Sequence, residues 1–169
     1  MAFFIQVPLN KVKHNIKEGI TYLAWIKPSK TFAPIFKFSV YFGIDRSGRL
    51  EAVFMPLSSR GRKLVSPRPV KMNRWLFVGV SFVRRTRVAS LYINNKLVKT
   101  KRFSKPVKLA SFRPGVLGVY GRKTYRGKIS CLQLYNVGLS SRQVARRRKR
   151  CFKGMFDINI FYLMDYGRL

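Results

Sequence analysis

Carboxylates are the scarcest reactive groups in this chain. Glu18, Asp45, Glu51, Asp157 and Asp165 are its five acids, against 36 lysines and arginines. Glycosidic hydrolysis uses two carboxylates roughly 5 to 9.5 Å apart, and Glu51 stands alone on its apolar stretch without a second acid. A Ser/His/Asp set would have to be built on His14, the single histidine, whose neighbours Lys11, Lys13 and Lys17 mark it as a surface or loop residue. Neither a nucleophile elbow nor a phosphate-cradling glycine loop occurs. Cys131 and Cys151 have no second pair and no histidine cluster, which argues against a four-ligand zinc site. The reading is of a non-enzyme without metal or cofactor, and the two cysteines are either a structural disulfide or two buried thiols.

The chemistry that the chain does carry is cationic. Residues 142–153 hold seven positive side chains and no acid, among them Arg142, Arg146, Arg147, Arg148, Lys149 and Arg150. Arg84, Arg85 and Arg87 form a second cluster, Lys99, Lys101, Arg102, Lys105 and Lys108 a third, and Arg60, Arg62 and Lys63 a fourth. Any one such run can be a solvated face or loop, but four without balancing acids point to bound anions. Planar guanidinium takes sulfate, phosphate or carboxylate bidentately, which suits oxyanion-rich polymers without choosing among them.

The formal charge is +31, far beyond the magnitude of about 2 to 8 that serves solubility in a small domain. Self-repulsion at that charge opposes compaction, so folding needs a good core, screening salt or bound anions. A hydrophobic content of 47% over 169 residues supplies material for one core and a single domain over 1–169. No run of about 18 or more apolar residues is present to span a membrane. The opening MAFFIQVPLN lacks a basic n-region and a long apolar stretch, so a signal peptide either preceded it or the protein is intracellular.

The elements that must position these cations read as strands. Residues 35–42 alternate, with Phe36, Phe38, Val40 and Phe42 on one side and Lys37, Ser39 and Tyr41 on the other. Similar segments lie at 3–7, 21–27, 49–55, 75–83, 88–94, 96–99, 116–120, 128–136 and 157–164. Asp45-Arg46-Ser47-Gly48, residues 58–61 followed by Pro67 and Pro69, and Pro114-Gly115 supply breaks. Asn94-Asn95 fits a two-residue hairpin, because asparagine tolerates positive φ. Ser140 with Gln143 three residues on has capping-box spacing and predicts a short helix ending near Cys151. Short strands throughout predict an all-β, two-sheet sandwich whose core takes up Trp25, Trp75 and most of the phenylalanines.

Residues 125–136 (YRGKISCLQLYN), then Gly138-Leu139-Ser140 and a helix into Cys151, resemble the C-terminal part of laminin-G-like, concanavalin-A-like domains. Earlier pieces fall in matching order: Leu23-Ala24-Trp25-Ile26-Lys27-Pro28, Pro34-Ile35-Phe36, Asn73-Arg74-Trp75-Leu76-Phe77-Val78 and Leu91-Tyr92-Ile93-Asn94, so that the likeness covers 22–151. The resemblance implies an antiparallel jelly roll, secretion, a Cys131–Cys151 disulfide pinning the helix to a late strand, and a binding module for glycans, sulfated polysaccharides or proteins. Calcium-binding relatives use acidic rim loops, whereas here only Asp45 is an acid in a loop-like stretch, so no calcium site is expected.

The leading expectation is therefore an extracellular, non-catalytic binder of an acidic glycan or acidic glycoprotein. A nuclear, nucleic-acid-binding alternative rests on Arg147-Arg148-Lys149-Arg150. A third reading is a stored secretory protein that loosens an egg coat or similar surface by displacing ionic crosslinks. The segment 157–164 is expected either to pair with the N-terminal strand or to remain an apolar edge through which two copies associate.

Overall fold

The computed structural model describes residues 5–7, 16, 18–54, 62–107, 109, 115–149 and 162–164. Two six-stranded sheets face each other. Sheet A has the order β1 (Ile5–Val7), β10 (Gly115–Leu117), β3 (Ala33–Lys37), β4 (Val40–Ile44), β5 (Arg49–Phe54) and β6 (Lys63–Pro69). Sheet B has the order β14 (Tyr162–Met164), β13 (Gly127–Tyr135), β2 (Gly19–Pro28), β7 (Leu76–Val83), β8 (Val88–Ile93) and β9 (Lys96–Arg102). Neighbours are antiparallel apart from the β13–β14 edge pair, and the two-stranded ribbon β11 (Val119–Tyr120) and β12 (Lys123–Thr124) lies against β3. This is the all-β sandwich that the periodicity predicts, in the jelly-roll form that the family resemblance implies, with one short helix among the described residues, α1 (Ser141–Arg148), near the C-terminus.

Alternation along the strands fills the space between the sheets. Tyr22, Ala24 and Ile26 of β2, Val78, Val80 and Phe82 of β7, and Phe42, Ala52 and Phe54 of sheet A are all buried in one cluster. Phe54 meets Phe82 at 5.2 Å and Phe103 at 5.1 Å between centroids, while Tyr22 meets Phe36 edge-on at 5.0 Å. Apolar burial on this scale, at about 1.5 to 3 kcal/mol for each large side chain, is what opposes the self-repulsion of the charge.

A second cluster lies on the outer face of sheet B. Leu23, Trp25, Phe77, Tyr92 and Tyr135 point away from the sandwich interior and are covered by Leu139 and by Val144 of α1. β2 is therefore buried on both faces, and its near-continuous apolar run reflects that.

Five expectations need correction. The stretch 35–42 is not one strand but the hairpin β3–β4, with Phe36 paired to Phe42 and Lys37 to Tyr41. A tight reversal at Phe38 and Ser39 keeps paired residues on one face, so the alternation survives although the chain turns back. The stretch 116–120 is broken at Gly118, whose φ of 71° ends β10 and starts the ribbon. Lys63–Pro69, assigned to a proline-marked break, is edge strand β6, where Pro67 and Pro69 are tolerated because the edge has no further partner. Trp75 is 41% exposed at the entry to β7 instead of in the core. Of the segment 157–164, the described part β14 pairs in parallel with β13, while β1 pairs with β10, so the two do not join each other. Residues 58–61 and Pro114 lie outside the described residues.

Candidate functional site

Pairing in sheet B joins two cation clusters that the sequence keeps apart. β7 and β8 are connected by the turn 84–87, closed by Arg87 N–H donating to the Arg84 carbonyl at 3.2 Å, with Arg87 at a φ of 57°. Beside it, the β8–β9 register sets Val88 opposite Arg102 and Ala89 opposite Lys101. The chain leaving β9 is held to the same turn: Phe103 N–H donates to the Arg87 carbonyl at 2.9 Å, and Arg87 Nη1 donates to the Ser104 carbonyl at 2.5 Å. Phe103 is buried against Phe54 and Phe82, which anchors this segment in the core. Arg62, entering β6, adds a bond from Nη2 to the Pro106 carbonyl at 3.0 Å.

The result is one end of the sandwich that presents Arg84, Arg85, Arg87, Lys101, Arg102 and Lys105 to solvent, with Arg62 half-buried beside them. The exposed Glu18 adjoins this end, its backbone carbonyl accepting from Arg84 N–H at 2.9 Å. Asp45 and Glu51 are engaged elsewhere: Arg49 Nε lies 3.3 Å from Asp45, and Lys63 Nζ lies 2.6 Å from Glu51. Lys99 is exposed farther along β9. Arg60 and Lys108 lie outside the described residues.

The helix divides its cations by orientation. Ser140 caps it with both halves of the predicted box: its hydroxyl accepts from Gln143 N–H, and Gln143 Oε1 accepts from Ser140 N–H at 2.8 Å. The segment leading into it is fixed by Thr21 and Ser81, which reach out of sheet B. Thr21 Oγ1 donates to the Val137 carbonyl and accepts from Leu139 N–H, while Ser81 Oγ donates to the Leu139 carbonyl. Thus seated, α1 points Arg142, Arg146 and Lys149 at solvent. Arg147 instead is 5% exposed, with its guanidinium 5.3 Å from the Tyr135 ring, and Arg148 lies 5.0 Å from the Trp25 ring. These two residues fasten the helix to the sheet through their rings. Arg150 and Cys151 lie outside the described residues.

Cys131 sits where the β13–β2 register shifts, at a φ of 49°, and packs on the helix-covered cluster. Gln133 reaches it with Nε2, 3.3 Å from its sulfur, and Tyr135 Oη donates to Gln133 Oε1 at 2.6 Å. Among the described residues no group of three or more His, Cys, Asp or Glu is placed to hold a metal ion, and no helix is long and apolar enough to cross a membrane. The sequence reading misses the exposed Trp75, because a tryptophan heading an apolar run looks the same whether it enters the core or stops at the rim.

A laminin G family model, described as the Concanavalin A-like lectin/glucanases superfamily, matches residues 5–145. No curated protein sequence matches the chain. Among solved structures, the native heptameric SAP-like pentraxin from Limulus polyphemus is 18% identical, with 76% of this chain and 68% of that one covered and a TM-score of 0.60. The CBM40 of Ruminococcus gnavus IT-sialidase, solved with α2,3-sialyllactose bound, is 16% identical over 76% of this chain and 82% of that one, with a TM-score of 0.63. The botulinum neurotoxin serotype D ligand binding domain, in complex with N-acetylneuraminic acid, is 17% identical at a TM-score of 0.60; 79% of this chain matches 36% of that one. Identities this low show a shared fold. That shared sandwich and the family match over 5–145 together place the chain in the concanavalin A-like lectin/glucanase superfamily, in its laminin G branch.

Proposed function

We propose that this protein is a non-enzymatic, secreted binding module that holds an acidic glycan or acidic glycoprotein through its cationic end. The observation that carries the reading is the union of the 84–87 turn with Lys101, Arg102 and Lys105 through β8–β9 pairing. Six exposed cations gathered on one end suit a polyanion, and with five acids against 36 cations the chain as a whole cannot neutralise itself. The fold supports the same reading. Two of its structural relatives were solved with a sialic acid or a sialylated sugar bound, and a laminin G module is at home among extracellular surfaces.

Absence of catalysis belongs to this proposal. Glu51 of β5 is buried and ion-paired to Lys63, which leaves it poorly placed as one of two free carboxylates. A Cys131–Cys151 bridge belongs to it as well, supported by the fact that Cys131 is not a free thiol. Disulfides persist outside the cell, and this one would tie the strand carrying Cys131 to the chain that follows α1.

The test is retention on matched heparin, DNA and sulfonate columns, read as the salt needed for elution. Elution from heparin at clearly higher salt than from sulfonate or DNA is the expected result. Equal elution from heparin and sulfonate would reduce the binding to unspecific charge, and stronger retention on DNA would replace the glycan with nucleic acid.

A further inference from the structure

The exposed cations of α1 form a pattern that the 84–87 end alone leaves unused. A helix turns by about 100° per residue, so Arg142, Arg146 and Lys149 fall within an arc of about 60°. Val144 and Arg147, the buried residues of the helix, lie on its opposite side, and the stripe therefore points away from sheet B. The helix also has a definite direction over the sheet. Its entry is tied to Thr21 and Ser81 through Val137 and Leu139. Farther on, the Arg147 carbonyl accepts from Gln133 Nε2 at 3.4 Å, and the Arg148 guanidinium lies 5.0 Å from the Trp25 ring. From Thr21 to Trp25 along β2, and from Leu139 to Arg148 along the helix, the span is about 13 Å in each case, so α1 follows β2.

The stripe begins beside the cationic end. Gly138 packs so closely on β7 that a Cβ there would fall 2.5 Å from Val83 Cγ2 and 2.6 Å from the Phe82 carbonyl oxygen, and Val83 is the residue before the turn. Arg102 pairs with Val88, a position that alternates with the core residues Ala89 and Leu91, so Arg102 also lies on the outer face of sheet B. Arg85, Arg87 and Arg102 are thus followed, in the direction of β2, by Arg142, Arg146 and Lys149, all six exposed. From the level of Val83 to that of Lys149 is about 20 Å. The stripe is costly to the helix that carries it. Arg142 stands in the first turn, where the helix dipole favours an acid and none is present. Arg142 with Arg146, and Arg146 with Lys149, are like-charged neighbours at i,i+4 and i,i+3 and repel each other. An anion lying along the stripe turns each repulsion into attraction to a shared partner.

We infer that Arg142, Arg146 and Lys149 continue the 84–87 end into one linear track, which takes an extended acidic glycan chain along the outer face of sheet B. The inference rests on the acidic-glycan reading above and adds to it a direction and a minimum length. A single acidic sugar meets one part of the track, whereas a chain meets all of it. Cations at successive levels of a seated helix suit anions repeated along a polymer. The rings nearest the stripe do not serve a nucleic-acid strand, because Tyr135 and Trp25 lie against Arg147 and Arg148, and the stacking platforms that single strands use are therefore covered.

The experiment is titration calorimetry of the whole chain with a heparin disaccharide, a heparin decasaccharide and a single-stranded DNA oligonucleotide matched to the decasaccharide in charge. One decasaccharide should bind per protein, more tightly than the disaccharide. Arg142→Gln/Arg146→Gln/Lys149→Gln should weaken the decasaccharide about 3- to 150-fold, as the loss of three exposed ionic contacts would. Combining it with Arg84→Gln/Arg85→Gln/Arg87→Gln should multiply the two losses. Arg68→Gln/Lys71→Gln/Arg74→Gln, equal in charge, should cause less than a third of the helix variant's loss on a logarithmic scale. Thermal melting should show the helix variant at least as stable as wild type, because like charges have been removed; a lower melting temperature would contradict the repulsion on which the inference rests. Two decasaccharides per protein, each lost with one of the two triples, would overturn the single track, as would a helix variant no weaker than the opposite-end one. With heparin still preferred over sulfonate, either result leaves the acidic-glycan reading standing. Tighter binding of the oligonucleotide, lost in the helix variant, would replace the glycan with nucleic acid. Elution from heparin no later than from sulfonate would remove the broader reading itself.

Discussion

Neutralising the 84–87 turn tests whether the cationic end is a site or only part of a positive surface. Arg84→Gln/Arg85→Gln/Arg87→Gln removes three of the 36 cations, and Arg68→Gln/Lys71→Gln/Arg74→Gln removes three from the exposed surface at the opposite end, so both variants have the same net charge. Neither set touches the core. Gln at position 87 meets the same positive φ that Arg already tolerates there, and the Phe103 N–H to Arg87 carbonyl bond needs no side chain. An exposed ionic contact contributes about 0.2 to 1 kcal/mol. Three such contacts come to roughly 0.6 to 3 kcal/mol, a rise in Kd of about 3- to 150-fold.

That difference depends on salt. The Debye length shrinks from about 8 Å at 0.15 M to about 3 Å at 1 M, so the variant and wild type should converge as salt rises. The assay is binding to immobilised heparin across a salt series, with thermal melting as the control for folding. The turn variant should lose affinity within the stated range while the opposite-end variant changes by less than a third as much on the free-energy scale. Equal losses from the two triples would refute the localisation, whatever the absolute affinity.

Three further outcomes follow from the geometry. Ser140→Ala removes the hydroxyl half of the capping box and should lower stability by about 0.5 to 2 kcal/mol in urea unfolding, with a larger loss if Gln143→Ala is added; no change would mean that Thr21 and Ser81 alone seat the helix. Trp75 is exposed and Trp25 is buried under α1, so iodide should quench about one of the two emissions, and more strongly than caesium at equal ionic strength because the surface is positive; Trp75→Phe should abolish the accessible fraction. Burial raises the Tyr22, Tyr41 and Tyr125 hydroxyls above their ordinary value near 10. An unfolded chain releases those protons first, so the stability that they contribute is complete below pH 10 and declines above it. Absorbance at 295 nm should show them ionising only together with loss of near-UV circular dichroism, and independent early ionisation of all eight tyrosines would contradict their burial.

How much of this was legible in the sequence depends on the range of the interaction. Asn94-Asn95 and the Ser140/Gln143 cap are local devices, and their φ values of 49° and 69° and their reciprocal bonds appear where the residue types place them. The hairpin within 35–42 was not legible, because period-two alternation is preserved through a two-residue reversal. Strand β6 was hidden by its prolines, which signal a break and yet are compatible with an outermost strand. Among the clusters, helical spacing turns Val144 and Arg148 away from the cationic surface of Arg146 and Lys149, but it carries no signal that Arg147 is buried against Tyr135 or that Arg148 meets Trp25.

The placement of charge also accounts for how a +31 chain keeps a folded sandwich with open edges. β9 closes sheet B with the sequence KLVKTKR, in which nearly every side chain is exposed, so its unpaired edge carries Lys96, Lys99, Lys101 and Arg102. Lysines on an edge strand repel a second copy and block sheet-to-sheet addition. Two of these cations, Lys101 and Arg102, stand beside the 84–87 turn, where a polyanion would gather. Protection against self-association and attraction of an acidic partner are thus two results of one arrangement, and they act in opposite directions when a multivalent anion is present. A bound polymer would neutralise the lysines that keep β9 apart from other copies, so substoichiometric heparin should promote association of the protein, and excess heparin, with one chain per molecule, should reverse it. Light scattering through such a titration should rise and then fall, and a monotonic or flat response would separate edge protection from ligand binding.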